Sequence, residues 1–150
     1  MNTARHSSQD RPAVHVSLFA VRFVAGIIFA GHGAQKLFGA FDGPGLSKIV
    51  EMMGPLGYAV TVGEFFGGVG LIIGFLTRFS AASLIVIMIG AIITVHGKNG
   101  LFLPDGFEYN LALIGLLIPT VIAGPGRFSV GRFLPLPRSR RTGRVIPVLE

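Results

Sequence analysis

The chain has 150 residues, of which 51% are hydrophobic, and its mean hydropathy of +0.68 is too high for an ordinary soluble domain of this length. It contains no cysteine, which excludes disulfides, thiol redox pairs, Cys-ligated iron–sulfur clusters and a cysteine nucleophile. The net charge of +6 does not indicate nucleic-acid binding, because no RNA- or DNA-reading motif accompanies the arginines of the C-terminal tail.

Hydrophobic residues are concentrated in four segments, Val14–Gly33, Leu56–Leu76, Phe79–Val95 and Glu108–Ala123. Each is close to the roughly 20 residues that a helix needs to cross a bilayer. The sequence therefore predicts an all-α integral membrane protein: a four-helix transmembrane bundle over residues 14–124, an N-terminal tail (1–13) and a basic C-terminal tail (125–150). Arg22 interrupts the first segment where a signal peptide is least polar, so we expect this segment to be retained.

Each predicted span carries polar side chains inside it or at its end. In chain order these are Arg22, His32 and Lys36 of the first span, Glu64 of the second, His96 of the third, and Glu108, Tyr109 and Asn110 at the start of the fourth. Ionisable groups are costly in lipid, so each one is a candidate functional residue. At about 1.5 Å per residue, all of the ionisable groups except Arg22 fall in the outer half of the bundle. Arg22 lies about 12 Å from the cytoplasmic side, and we expect it to pair with Glu64.

Basic residues divide unequally between the two sides of the predicted bundle. The side with both termini and the turn at residues 77–78 holds nine Lys and Arg residues, whereas the other side holds three. Cytoplasmic loops are enriched in Lys and Arg. We therefore expect a multi-pass protein of the bacterial inner membrane, with both termini in the cytoplasm and the tail arginines against anionic lipid head groups.

Two loops join the predicted spans on the outer side. The stretch Leu46–Met53 of the first loop is amphipathic, and we expect it to lie along the membrane interface or to cap the bundle. The second loop, residues 97–106, is rich in turn-forming residues. We expect it to be a plain connector, with a lid over the polar groups as the alternative.

Four motifs occur in order along the chain. They are residues 32–39 (HGAQKLFG), residues 64–68 (EFFGG) with 74–78 (GFLTR), residues 96–97 (HG) and residues 106–113 (GFEYNLAL). In order and spacing they resemble the DoxX family of small bacterial membrane proteins, over about residues 14–133. The resemblance implies a four-helix transmembrane bundle, an association with quinone-linked oxidation of reduced sulfur compounds, and redox-protein partners.

On this basis we expect a membrane component of a quinone-linked oxidoreductase system, with a polar site in the outer half of the bundle. The catalytic candidates are His32, Glu64 and His96, and the candidates for binding substrate or quinone are Arg22, Lys36, Glu108, Tyr109 and Asn110. Imidazole titrates near neutral pH, so the histidines suit proton transfer. We expect no metal site, because each candidate ligand comes from a different helix and no closely spaced pair is present.

The sequence leaves other functions open. In the main alternative, the polar groups only fix helix packing in a non-catalytic membrane protein that assembles or anchors partners. Transport is a third hypothesis, which the lack of an evident inverted repeat or broken helix weakens. The expected partners are the lipid bilayer and, for the redox hypothesis, a separate redox subunit; homo-oligomerisation is undecided by the sequence.

Overall fold

The helices of the protein follow the four predicted apolar segments, with one short helix between the first and the second. A computed structural model describes residues 12–132. Its α-helices are α1 (Pro12–Phe38), α2 (Gly45–Met53), α3 (Leu56–Ile73), α4 (Thr77–Ala91) and α5 (Glu108–Ala123). A π-helical turn (Ile92–His96) and a 3₁₀ turn (Gly97–Asn99) extend α4. No strand occurs among these residues, and the predicted all-α fold is confirmed.

The long helices have the length and composition of membrane spans. Three of them are long and apolar enough to cross a bilayer: α1, α3 and the continuous stretch Thr77–Asn99 that α4 begins. α5 is also apolar but has 16 residues. That length corresponds to about 24 Å of helix, against roughly 30 Å for the hydrocarbon core of a bilayer. Apolar side chains such as Val24, Val86 and Ile122 are half or more exposed on the outside of the bundle, as lipid contact requires.

The four long helices form a closed ring. α1 packs most extensively against α3, α3 packs against α4, α4 against α5, and α5 against α1. α2 packs across α3 and α1, with Ile49 as its buried residue. We call the end of the ring where α2 and the loop of residues 97–107 lie the α2 end. At the opposite end, the terminal end, a side chain added at Gly126 would touch His15, so both ends of the described chain lie together.

A continuous apolar core fills the ring between these two ends. It consists of Ala25, Phe29, Leu71, Ala81, Leu84, Met88, Leu113 and Leu117. All four long helices contribute to it, and the buried charged residues Glu64 and Arg22 lie towards opposite ends of it. The core therefore separates two polar regions, one at each end of the bundle.

Close glycine contacts set the register between α1 and α3. A Cβ atom at Gly33 would overlap the backbone of Phe65, and a Cβ atom at Gly68 would overlap the backbone of Ala30. Residue 33 of α1 thus lies level with residue 65 of α3, and residue 30 lies level with residue 68, so the two helices are antiparallel. Small residues at such an interface let membrane helices approach closely.

Several helix boundaries differ from the prediction by a few residues, and two of the differences bear on the fold. α1 continues beyond Gly33 to Phe38, and the turn between the second and third spans lies at residues 74–76 instead of 77–78. The turn moves because Gly74 ends α3 in the left-handed conformation (φ 75°) that favours glycine. The amphipathic stretch of the first loop forms α2. Of the predicted tails (1–13 and 125–150), residues 1–11 and 133–150 lie outside the described residues, and residues 12–13 belong to α1.

Candidate functional site at the α2 end

A cavity of about 270 Å³ opens at the α2 end, between all four helices of the ring. Its polar lining consists of His32 and Lys36 of α1, Glu64 of α3, His96 at the end of the π-helical turn, and Tyr109 and Asn110 of α5. The other lining residues are Phe29, Met88, Ala91, Leu103, Pro104, Gly106 and Leu113. Six of the eight candidates named from the sequence therefore line one cavity.

An ion pair lies at the centre of the polar lining. Lys36 Nζ donates to Oε1 and Oε2 of Glu64, at 2.6 Å each. The Glu64 side chain is only 3% exposed and that of Lys36 is 28% exposed, so the carboxylate is the more deeply buried partner. A charge at this depth is stable only when it is paired. The predicted pair between Arg22 and Glu64 is therefore wrong: Lys36 takes the place of Arg22.

The register of α1 against α3 explains this correction. In the register that Gly33 and Gly68 set, Glu64 lies level with residue 34 of α1. Arg22 is about twelve residues from that level, or roughly 18 Å along the helix, which is beyond the reach of its side chain. Lys36 is about half a turn from the same level. The prediction failed because it placed both helices from the ends of their hydrophobic segments, whereas the glycine contacts decide which residues face each other.

The loop of residues 97–107 forms one wall of the cavity. Its backbone closes on itself, since Phe107 N donates to Gly100 O at 3.1 Å. His96 Nδ1 lies 3.0 Å from the carbonyl oxygen of Asp105. A carbonyl oxygen only accepts, so this contact assigns the proton to Nδ1 and leaves Nε2 of a neutral His96 as an acceptor. The loop is thus part of the site, not the plain connector that the sequence favoured.

The three polar residues that open α5 have different roles. Glu108 does not line the cavity; its Oε1 accepts a hydrogen bond from Leu103 N at 2.9 Å and so holds the loop against α5. The Tyr109 ring packs edge-on against His32, with ring centroids 6.2 Å apart. Asn110 is buried, and its Nδ2 donates to the sulfur of Met88 on α4 at 3.4 Å. Two of the three therefore belong to the cavity, and Glu108 supports its wall.

Arg22 lies outside the cavity, at the terminal end. It is 1% exposed. Its Nη1 donates to the carbonyl oxygens of Leu71 and Ile72, and its Nη2 donates to that of Phe128. The first two carbonyls belong to the last turn of α3 and have no partner within that helix. Arg22 therefore connects α1, α3 and the segment after α5. The structure does not bring it together with the other predicted site residues in the cavity.

Sequence reasoning missed the apolar lining of the cavity. A signal for part of it was available: Phe29, His32 and Lys36 follow each other at spacings of three and four residues, which places them on one face of α1. The contribution of Leu103 and Pro104 has no such signal, because it depends on how the loop folds back over the ring.

The chemistry of the lining suits a small ligand with hydrogen-bonding oxygens. The polar groups are two imidazoles, an ammonium, a phenol, an amide and one carboxylate. Among residues 12–132, no group of three or more His, Asp or Glu side chains could hold a metal ion. The volume lies just below the roughly 300–1,000 Å³ of typical small-molecule sites, which fits a single ring or a small anion.

Comparison with known proteins identifies the family. The family model described as DoxX matches residues 17–97. The chain belongs to the DoxX family. The matched range contains His32, Lys36, Glu64 and His96 of the cavity, whereas the α5 residues lie beyond it.

Two of three similar proteins are named as membrane proteins. Inner membrane protein YqjF of Escherichia coli (strain K12) is 30% identical over 127 residues, which cover 79% of this chain and 92% of the relative. "Uncharacterized membrane protein Rv3486" of Mycobacterium tuberculosis is 28% identical over 132 residues, 79% of this chain and 81% of the relative. "Putative oxidoreductase CatD" of Bacillus subtilis (strain 168) is 29% identical over 107 residues, 67% of this chain and 75% of the relative. No solved structure matches the chain. The predicted multi-pass membrane localisation is confirmed.

Proposed function

We propose that this protein is a membrane component of a quinone-linked oxidoreductase system, and that the cavity at the α2 end binds the quinone head group. The observation that carries the proposal is the mixed lining of the cavity, in which hydrogen-bonding groups of three helices surround an apolar floor. A planar ring with carbonyl oxygens needs both kinds of surface. The name of the relative "Putative oxidoreductase CatD" supports the same class of reaction.

The lining residues divide into donors and proton carriers. A bound quinone supplies the electron- and proton-transfer chemistry. Lys36, Tyr109 and Asn110 carry N–H or O–H donors for carbonyl oxygens. Imidazole is a common proton carrier in proteins, so His32 and His96 are the candidates for carrying protons between the cavity and the adjacent solvent. Glu64 fixes the position of the Lys36 ammonium and supplies a carboxylate in the same network.

The floor of the cavity favours binding over transport. Phe29, Met88 and Leu113 line the cavity and also belong to the apolar core. Below them the core consists of aliphatic side chains from all four helices. A ligand or a proton would therefore enter and leave from the α2 end, because the core residues described between the two ends are apolar.

We also propose that the α2 end faces the outside of the cytoplasmic membrane. In this orientation residues 14–124 form the membrane domain, and the tails at residues 1–13 and 125–150 lie in the cytoplasm. The supporting observation is the excess of Lys and Arg on the side of the termini. The shared position of residues 12–15 and 124–132 at one end of the bundle is consistent with it.

The test is to purify the protein in mild detergent and to quantify bound quinone by mass spectrometry. We expect one quinone per protein. Its retention should fall by roughly tenfold in His32→Ala and in Glu64→Gln, since each change removes a charged or strong hydrogen-bonding group from the site. His15→Ala is the matched control, because His15 lies at the terminal end, and it should retain quinone.

The competing proposal is a non-catalytic protein that anchors or assembles partners. The observation in its favour is that the polar groups already bridge helices: Lys36 with Glu64 joins α1 to α3, and His32 with Tyr109 joins α1 to α5. A folded wild-type protein that holds no quinone and takes up none when a short-chain quinone is added would reject the redox proposal. The same preparation would then be searched for stoichiometric protein partners.

A further inference from the structure

The terminal end of the bundle contains a buried positive charge that has no carboxylate partner within residues 12–132. Arg22 is 1% exposed, and among residues 12–132 no carboxylate lies within ion-pair distance of it. Its acceptors are three backbone carbonyls, two of them at the C-terminal end of α3. The dipole at a helix C-terminus is equivalent to about half a negative charge. The guanidinium is therefore only partly compensated by the protein groups described.

One nitrogen of this guanidinium and a neighbouring hydroxyl have no hydrogen-bond partner in the described part of the chain. Nε of Arg22 and Oγ of Ser129 are both buried, and neither has a hydrogen-bond partner among the described residues. Ser129 itself is only 8% exposed. Buried polar atoms in folded proteins are nearly always bonded, so two such atoms next to one charge point to a ligand that supplies acceptors.

These residues line a pocket that is separate from the cavity at the α2 end. The pocket has a volume of about 400 Å³, and its lining includes Arg22, Arg127, Ser129 and the ring of Phe19. Its lining thus combines two guanidinium groups and a hydroxyl with an aromatic wall, and no acidic side chain occurs among the lining residues that the structure describes. The apolar core lies between this pocket and the proposed quinone site.

We propose that this pocket binds a phosphate group, held by Arg22, Arg127 and Ser129. Guanidinium groups pair with phosphate oxygens through charge-assisted hydrogen bonds, and a serine hydroxyl donates one more. The phosphate belongs either to an anionic lipid head group or to a free phosphate ion. The pocket lies next to the end of α3 and the segment after α5, where a span leaves the bilayer and lipid head groups are concentrated.

The first experiment measures lipid retention by native mass spectrometry. The full-length protein is extracted from detergent mixed with phosphatidylglycerol or, separately, with zwitterionic phosphatidylcholine. We expect one retained phosphatidylglycerol, whose retention falls by roughly tenfold or more in Arg22→Gln and by roughly threefold or more in Ser129→Ala. Arg78→Gln is the matched control: Arg78 also bonds a backbone carbonyl, that of Ile122, but does not line the pocket, and its loss should leave retention unchanged.

The second experiment separates a lipid from a free ion. Sodium phosphate is titrated into the lipid-free protein at constant ionic strength set with chloride, and the melting temperature is followed in wild type and in both variants. Stabilisation by phosphate that requires Arg22 and Ser129, without preferential retention of phosphatidylglycerol, supports the pocket and identifies a free anion as its ligand. Retention of phosphatidylglycerol without this stabilisation supports the pocket and identifies a lipid.

The proposal is overturned if neither ligand binds, or if binding is the same in wild type and in the variants. Because Arg22→Gln removes three hydrogen bonds and could fail to fold, Ser129→Ala is the deciding variant in that case. The Ser129 hydroxyl makes no hydrogen bond with residues 12–132, so unchanged phosphate or lipid binding in Ser129→Ala would reject the pocket as the site.

Discussion

Removing either partner of the Lys36–Glu64 ion pair should have unequal effects on stability. In Lys36→Met, the Glu64 carboxylate stays buried at 3% exposure without its partner. Breaking a buried pair costs about 3–5 kcal/mol, and we expect about 3 kcal/mol, because the 28% exposed lysine marks a site that water partly reaches. In Glu64→Gln, the lysine can turn to that water, so we expect a loss of only about 1 kcal/mol.

The double variant, which lacks both charges, should lose little stability. With both charges removed, no unpaired ion remains in the bundle, and replacing a buried ion pair by neutral groups is often neutral or stabilising. We therefore expect Lys36→Met with Glu64→Gln to be less stable than wild type by at most about 1 kcal/mol, which corresponds to a coupling energy of about 3 kcal/mol.

The assay is unfolding in mixed micelles of mild detergent and SDS, followed by far-UV circular dichroism. Lys48→Met, on the exposed surface of α2, is the control for the loss of one positive charge and should change the free energy of unfolding by less than about 0.5 kcal/mol. A double variant whose loss is the sum of the two single losses would show that the side chains do not form the pair described. Equal losses in the two single variants would contradict the unequal burial of the two partners.

Three further predictions concern the helix interface, the loop and the orientation. Gly33→Ala should destabilise the bundle by about 1–3 kcal/mol in the same unfolding assay, because its Cβ meets the α3 backbone, whereas Gly31→Ala, with open space around it, should not; equal effects would contradict the register of α1 and α3. Glu108→Gln should weaken the hydrogen bond that holds the loop and speed amide hydrogen exchange there by roughly threefold to tenfold, and unchanged exchange would contradict this role. Since the chain has no cysteine, Ser47→Cys on α2 should react with a membrane-impermeant maleimide in intact spheroplasts and Ser139→Cys should not; the reverse pattern would overturn the proposed orientation.

The sequence predicted what depends on position along a helix, and it failed where residues on different helices must be matched. The approximate position of each span and the depth of His32 and His96 follow from hydropathy and from the helical rise, and both residues line the cavity at the α2 end. The partner of Glu64 depends on the offset between α1 and α3. That offset is set by the contacts of Gly33 and Gly68 with backbone atoms, and nothing in the hydropathy pattern identifies which glycines make them.

Loop structure was the second limit of prediction. The turn-forming residues of the second loop correctly indicated a chain reversal, but a reversal can point away from the bundle or fold over it. The choice depends on single contacts, such as Glu108 with the backbone of Leu103 and His96 with that of Asp105. Because of these contacts the loop forms a wall of the cavity instead of a plain connector. Glu108 therefore supports the wall and does not line the cavity.

The stability of the double variant also bears on the choice between the two proposed functions. If the ion pair served only to fix helix packing, two neutral side chains that pack equally well would do the same. A buried ion pair has the disadvantage that loss of one partner destabilises the bundle by about 3 kcal/mol. The α1–α3 register is already set by glycine contacts that involve neither charge. A double variant that is stable but no longer retains quinone would therefore assign the pair to ligand binding. A double variant that loses its helical packing would assign it to the bundle, and the case for a redox site would then rest on His32, His96, Tyr109 and Asn110.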